Sequence, residues 1–356
     1  MGIFDNMLNS DESLFRDMVA LDYDFLPKLI PYRETEQKYM ATCIKPLFQK
    51  RNGKNLFIYG APGIGKTAAT KHVLRDLEDE TDDVIPIFIN CWQKNTTYKI
   101  LIDICNQLEY KFTHNKKTNE LMKIVKDFLN KRSVVFVFDE VDKLDDFDFL
   151  YMILEEIYRK TILMITNYRS WLVELDERIK SRLIPELLAF KPYNPEETKG
   201  ILKQRLEYAF VPEVWQDDAF NLVAKKSAEL KDVRSGLYLM KEAGNEAENK
   251  ASKKIALEHV KSAISKFDEF KIKSSQDLRD ETKKILELIK NNDGKKIGDL
   301  FRIYKKKDGE MSYRTFQRKI KRLEEGKFIS VKKTTGGDTG TTTIIYYTKS
   351  KKLTDF

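Results

Sequence analysis

The spacing of hydrophobic positions changes character along the chain. Between residues 54 and 190, short and nearly continuous apolar runs alternate with stretches of helical spacing. The runs are Lys54 to Tyr59, Val84 to Asn90, Ser133 to Asp139, Thr161 to Asn167 and Ile184 to Phe190. Strands apolar at successive positions suit a parallel sheet covered on both faces. Their alternation with helical segments predicts an α/β doubly wound domain. Helical periodicity is read over Arg33 to Gln49, from the end of the first strand's loop to Glu80, and over Thr97 to Leu108, Glu120 to Lys131 and Leu175 to Leu183. From Lys191 the strand pattern stops. Pro192 and Pro195 mark a hinge, and apolar stripes through Ile201, Leu206, Phe220, Val223, Leu237 and Met240 predict helices as far as about Lys266.

The first strand runs into Gly60-Ala61-Pro62-Gly63-Ile64-Gly65-Lys66-Thr67, followed by the helical pattern from Ala68. This is G-x-x-x-x-G-K-[ST] between a strand and a helix, the context a phosphate-binding loop needs. Glycines let successive backbone N–H groups converge on a phosphate, and the helix start adds its positive dipole end. Lys66 is placed to reach the β- and γ-phosphates, and Thr67 to offer a hydroxyl to Mg2+. The run from Val134 to Phe138 ends in Asp139-Glu140, at the carboxyl end of a strand where such sheets bind ligands. Asp139 is expected to hold Mg2+ and Glu140 to polarise the attacking water. Asn167, ending the next strand, is expected on the γ-phosphate or the lytic water.

Lys271 to Ser275 reads as a linker. Beyond it come helices over 280–290, 296–304 and 312–325, then strands over 328–334 and 341–348 around Gly336-Gly337-Asp338. Three helices and a hairpin is the winged-helix order. The third helix puts Phe316, Ile320 and Leu323 on one side. Arg314, Arg318 and Lys321 fall opposite, flanked by Gln317 and Arg322, as a helix entering a DNA major groove would require. Lys332, Lys333, Thr334 and Thr335 on the hairpin are expected near an adjacent phosphate or minor groove. The alternative reading is a protein contact with a solvated basic face. Charge favours DNA. Residues 271–356 carry 23 Lys and Arg against 12 Asp and Glu, a net +11, while the whole chain is +8. Residues 1–270 are therefore at −3, so the polyanion contact is expected in the C-terminal block. The domains read as 1–190, 191–270 and 275–356.

With 41% hydrophobic and 34% charged residues the chain suits a soluble protein. No apolar run approaches a membrane span, and the acidic start lacks a secretory pattern. Three cysteines, Cys43, Cys91 and Cys105, have neither disulfide-framework nor zinc spacing. A cytoplasmic, nucleoid-associated protein is expected.

These features together resemble the AAA+ ATPases, and more narrowly the archaeal origin-recognition replication initiators. The resemblance runs over nearly the whole chain. It includes Leu29-Ile30-Pro31-Tyr32-Arg33-Glu34, the phosphate loop, Asn90-Cys91-Trp92, Asp139-Glu140-Val141-Asp142, Phe190-Lys191-Pro192-Tyr193, Asp232-Val233-Arg234 and Glu258-His259-Val260. It implies ATP or ADP with Mg2+, gripped by Gly60, Pro62, Gly63, Ile64, Gly65, Lys66, Thr67 and Ala68. Asn167 resembles sensor 1 and Arg234 sensor 2. Tyr193 and Arg205 match positions lining the nucleotide, and Pro31 and Arg33 positions where an arm wraps the adenine. Arg182 resembles an arginine finger acting on a neighbour's ATP, with Arg178 as the alternative and use of neither by a lone initiator as a third. Lys94, Asn95 and Thr96 fall in a segment matching the family's DNA contact. Lys231 to Gly236 departs from the family pattern, and Gly236 is expected to weaken packing there. The implied function is an ATP-dependent initiator that recognises double-stranded origin DNA, works with other initiator protomers and recruits the replicative MCM helicase. A transposition or plasmid-maintenance helper, or a signalling ATPase with a protein-binding winged helix, remain as alternatives.

Overall fold

The structure is a computed structural model that describes residues 13–307, 309–325, 328–334 and 342–347. It divides into two compact units, Met1–Ile264 and Ser265–Phe356.

The first unit is built on β1 (Leu56–Tyr59), β2 (Val84–Asn90), β3 (Ser133–Asp139), β4 (Lys160–Thr166) and β5 (Glu186–Ala189), all parallel, in the order β2-β3-β4-β1-β5. Helices α1 (Glu34–Ile44), α2 (Lys66–Glu80), α3 (Thr97–Gln107), α4 (Thr118–Leu129), α5 (Asp148–Glu156), α6 (Trp171–Glu174) and α7 (Glu177–Leu183) cover it. All seven positions of β3 are buried. Val134, Phe136 and Phe138 pack with α3, α4 and α5 on one face. Val135 and Val137 pack with α1 and α2 on the other. That two-sided burial is why the strand is apolar at every position.

The register aligns the strand ends. Tyr59 pairs with Thr166 and with Ala189, Ile165 with Asp139, and Asp139 with Asn90. The phosphate loop, the acidic pair and Asn167 therefore emerge along one edge of the sheet. The helix expected over Arg33 to Gln49 is two elements, since α1 gives way to a 3-10 turn over Lys45–Gln49. Pro46 there lacks the N–H donor a continuing α-helix needs. With nine residues, α5 is too short for its periodicity to stand out in the sequence.

Helices α8 (Pro195–Ala209), α9 (Asp217–Leu230) and α10 (Val233–Asn249) follow, and α11 runs from Leu257 to Lys290. Helices α8 to α10 form a helical lid, which is tighter at Gly236 than expected. A Cβ there would come 2.7 Å from Leu202 Cδ1 and 2.8 Å from Ser227 Oγ. The glycine lets α8, α9 and α10 approach rather than loosening them. The segment Lys271 to Ser275, expected as a linker, lies within α11. No glycine or proline interrupts Leu257 to Lys290.

The second unit holds β6 (Lys295–Lys296), α12 (Ile297–Lys306), α13 (Tyr313–Glu325), β7 (Ile329–Thr334) and β8 (Thr342–Tyr347), with an antiparallel sheet ordered β6-β8-β7. Phe316, Ile320 and Leu323 are buried against Ile285, Ile289, Leu300 and Ile345, as the helical wheel predicts. Arg314, Gln317, Arg318 and Lys321 are exposed. Arg322 lies on α13, and Lys332, Lys333 and Thr334 on β7. Thr335 and the tip Gly336-Gly337-Asp338 lie outside the described residues. Among the described residues no helix is long and apolar enough to cross a membrane.

Candidate nucleotide site

The phosphate loop bends where its glycines allow, with φ of 73° at Gly63 and 85° at Gly65. Lys66 then opens α2. Its Nζ donates to the carbonyls of Gly60 and Ala61, each at 2.8 Å, and to Asn167 Oδ1 at 2.9 Å. Thr67 Oγ1 donates to Asp139 Oδ2 at 2.7 Å, while Asp139 Oδ1 accepts the Glu140 amide. Glu140 takes a left-handed conformation, φ 56°, where the chain turns off β3.

Burial sets the titration of these groups. It pushes Lys66 down to about 8 from the usual 10.5, against the pull of Asp139 and with a further push from Arg234. Burial raises Asp139, opposed by the donated Thr67 hydroxyl and Glu140 amide. Glu140 is raised by burial and then by the neighbouring Asp139 and Asp142 charges.

A cavity of about 180 Å³ opens over these groups. Pro62, Gly63, Ile64, Gly65, Lys66, Thr67 and Ala68 line it, with Asp139, Glu140 and Asn167. Ile201, Arg205, Arg234 and Leu237 close it from the lid, and Tyr193 from the loop between β5 and α8. Pro31 is in the wall, and so is a longer stretch of the arm, Tyr23 to Pro27 with Ile30. In the sequence that stretch shows only proline punctuation.

Two expected residues have other positions. Gly60 and Arg33 are not in the cavity wall. Arg33 is buried beneath the Tyr193 ring, 3.9 Å from its centroid, with Nη2 donating to Ile64 O and Lys191 O. Its guanidinium supports the phosphate loop and the hinge from behind, so it is no wrap for a base. Arg205 is in the wall, but it donates to the arm carbonyls of Ala20 and Phe25. Burial lowers it to about 10.

Arg234 is brought in by the start of α10, where Asp232 caps the helix by accepting the Arg234 amide at 2.9 Å. Arg182 and Arg178 are outside the cavity wall. Arg182 is half-exposed on α7 and pairs with Glu155, while Arg178 pairs with Asp176. Neither side chain lines the protein's own cavity. Lys94, Asn95 and Thr96 are engaged within the body. Lys94 Nζ is 3.3 Å from Asp103 Oδ1, Asn95 Nδ2 donates to Asp145 Oδ2, and the Thr96 hydroxyl caps α3.

Comparison with known proteins agrees with this geometry. Residues 49–170 match the AAA domain family, and residues 199–265 the Cdc6 AAA+ ATPase-type lid domain. ORC1-type DNA replication protein 1 of Sulfurisphaera tokodaii is 35% identical over 276 residues, 73% of this chain and 69% of the relative. The protein of the same name from Archaeoglobus fulgidus is 32% identical over 335 residues, 87% and 81% respectively. The solved structure of the Aeropyrum pernix ORC1 protein in complex with DNA is similar over 95% of this chain and 94% of that one, with TM-score 0.69 at 26% identity. Phosphate loop, acidic strand end and helical lid thus converge with the comparisons: the chain belongs to the archaeal ORC1-type DNA replication proteins, AAA+ ATPases with a Cdc6-type lid.

Proposed function

We propose that this protein is an ATP-switched initiator that binds origin duplex through its C-terminal unit and helps recruit the replicative MCM helicase. The observation that carries the switch is the junction of two lobes over one cavity. Lys66, Thr67, Asp139 and Asn167 come from the base, and Arg234 from the lid. A triphosphate between them is positioned to hold the lobes together, with Arg234 clamping bidentately.

The donor set fits Mg2+. Thr67 Oγ1 and Asp139 Oδ2 are hard oxygens 2.7 Å apart, and one carboxylate with one hydroxyl leaves positions for phosphate and water. The ion would neutralise charge on the phosphates. Glu140, held at the turn off β3, would orient the attacking water. Lys66 must exchange its loop carbonyls for phosphate oxygens, so nucleotide binding rearranges its hydrogen bonds. Arg182 on a second protomer would complete the site, making hydrolysis slow in an isolated chain.

For DNA, the support is the α12–α13–hairpin order, read as a winged helix within 275–356 beside a lid at 191–270 and a base at 1–190. The exposed Arg314, Gln317, Arg318 and Lys321 on α13 and the +11 of residues 271–356 agree with it. The Aeropyrum pernix relative solved with DNA points the same way. A protein of this kind belongs in the cytoplasm on the nucleoid. Footprinting on the chromosomal origin against random duplex, with ATP and with ADP, tests the reading. Protection of the origin that needs ATP is expected. Equal protection of random duplex overturns it.

A further inference from the structure

The wall of the cavity farthest along the arm is irregular chain, with no helix or strand between Leu21 and Glu34. Such a segment does not hold its own position. Its carbonyls are instead held by side chains from both lobes. His72 Nε2 donates to Lys28 O at 2.8 Å. Arg75 Nη2 donates to Pro27 O at 3.3 Å and to Lys28 O at 3.2 Å. From the lid, Gln204 Nε2 donates to Leu29 O at 3.3 Å, and Arg205 holds Phe25 O. A carbonyl only accepts, so His72 Nε2 is the donor in this contact.

His72 is buried, at 8% exposure, and is not part of the cavity wall. It shares α2 with Lys66 and Thr67. Six residues of helix separate Lys66 from His72, about 9 Å along the axis. One rigid rod therefore grips the phosphates at its first turn and pins the opposite wall two turns later. We infer that His72, with Arg75, is a positioning residue for nucleotide recognition: it fixes the arm segment Leu26 to Ile30 at a set distance from the phosphate loop, so that the base and the phosphates are bound together. The inference rests on the nucleotide reading of this cavity.

The test uses the full chain and two probes, ATP and inorganic tripolyphosphate, titrated against wild type, His72→Ala with Arg75→Ala, and His72→Gln. Tripolyphosphate reports the phosphate loop alone. In the double variant, which removes three hydrogen bonds to the arm, ATP affinity should fall at least about tenfold, with tripolyphosphate affinity unchanged. His72→Gln, which keeps a donor and leaves Arg75 in place, should bind ATP close to wild type. A parallel fall for both probes, or no fall for ATP, overturns the inference. Failure of wild type to bind ATP at all would instead overturn the nucleotide reading.

Discussion

Lys66 Nζ donates to Asn167 Oδ1 across 2.9 Å, joining the phosphate loop to the end of β4. The two residues are 101 apart in sequence and neighbours because β1 and β4 are adjacent in the sheet. On the proposed nucleotide reading, Lys66 meets the phosphates directly and Asn167 acts beside the γ-phosphate. Lys66→Ala should abolish ATP binding. Asn167→Ala should leave ATP affinity near wild type and lower single-turnover hydrolysis about 100-fold, the scale of one lost transition-state donor. Calorimetric titration beside single-turnover kinetics separates the two. Equal loss of affinity in both variants would assign Asn167 to ground-state binding.

The depressed Lys66 gives ATP binding a pH signature. Free protein loses the Lys66 proton near pH 8, whereas phosphates hold that proton on. ATP affinity should therefore decline as pH rises through about 8, and binding there should take up protons. Calorimetry in buffers of different ionisation heat measures the uptake. The nucleotide-free fold has the opposite trend from this residue. The unfolded chain holds the proton up to about 10.5, so between pH 8 and 10.5 the unfolded state binds more protons and Lys66 favours folding as pH rises. Below pH 8 both states hold the proton, and this residue adds no further pH dependence.

Gly236→Val should destabilise the lid. Its Cβ alone would meet Leu202, which is fully buried, at 2.7 Å. Overpacking of this kind costs about 1–3 kcal/mol, a fall in Tm of several degrees for a unit of this size. Thermal melting with and without ATP measures it. A Tm equal to wild type would mean that α8 and α10 separate freely.

The phosphate loop, Asp139 and Asn167 were legible because each is fixed by neighbours in sequence: a strand before, a turn or helix after. The buried stripe of α13 was legible for the same reason. Arg33 was not. Its partners, Ile64 and Lys191, are 31 and 158 residues away, and only the folded hinge brings them together. His72 looks like one more residue of α2, since its partner lies on a chain segment without pattern. Gly236 misleads for a related reason. Helix propensity counts the cost of a glycine locally, while its benefit is the approach of two other helices. In α11, polar Lys271 to Ser275 resembles a linker, yet polarity without glycine or proline does not stop a helix.

Arg182 separates action on a neighbour from action within the chain. In the folded chain it pairs with Glu155 and lies across the Tyr151 ring. Arg182→Ala should leave ATP affinity unchanged and leave hydrolysis by dilute protein unchanged. Hydrolysis should fall only under conditions where protomers assemble, measured as rate against protein concentration on duplex. If the variant loses activity at every concentration, the arginine serves its own protomer or the fold.

The C-terminal unit makes the sharpest prediction about DNA. Arg314 and Arg318 project from the side of α13 opposite Phe316 and Ile320, which are buried. Replacing both by alanine removes two positive charges without touching that core, so folding of the unit should be unaffected. Origin affinity should fall while ATP affinity stays at the wild-type value. The slope of log affinity against log salt should shrink by roughly 1–2, about one for each phosphate no longer neutralised. If instead the slope holds and discrimination between origin and random duplex collapses, the arginines read base edges rather than phosphates. If neither slope nor affinity moves, the basic face of α13 does not meet duplex, and protein contact takes its place.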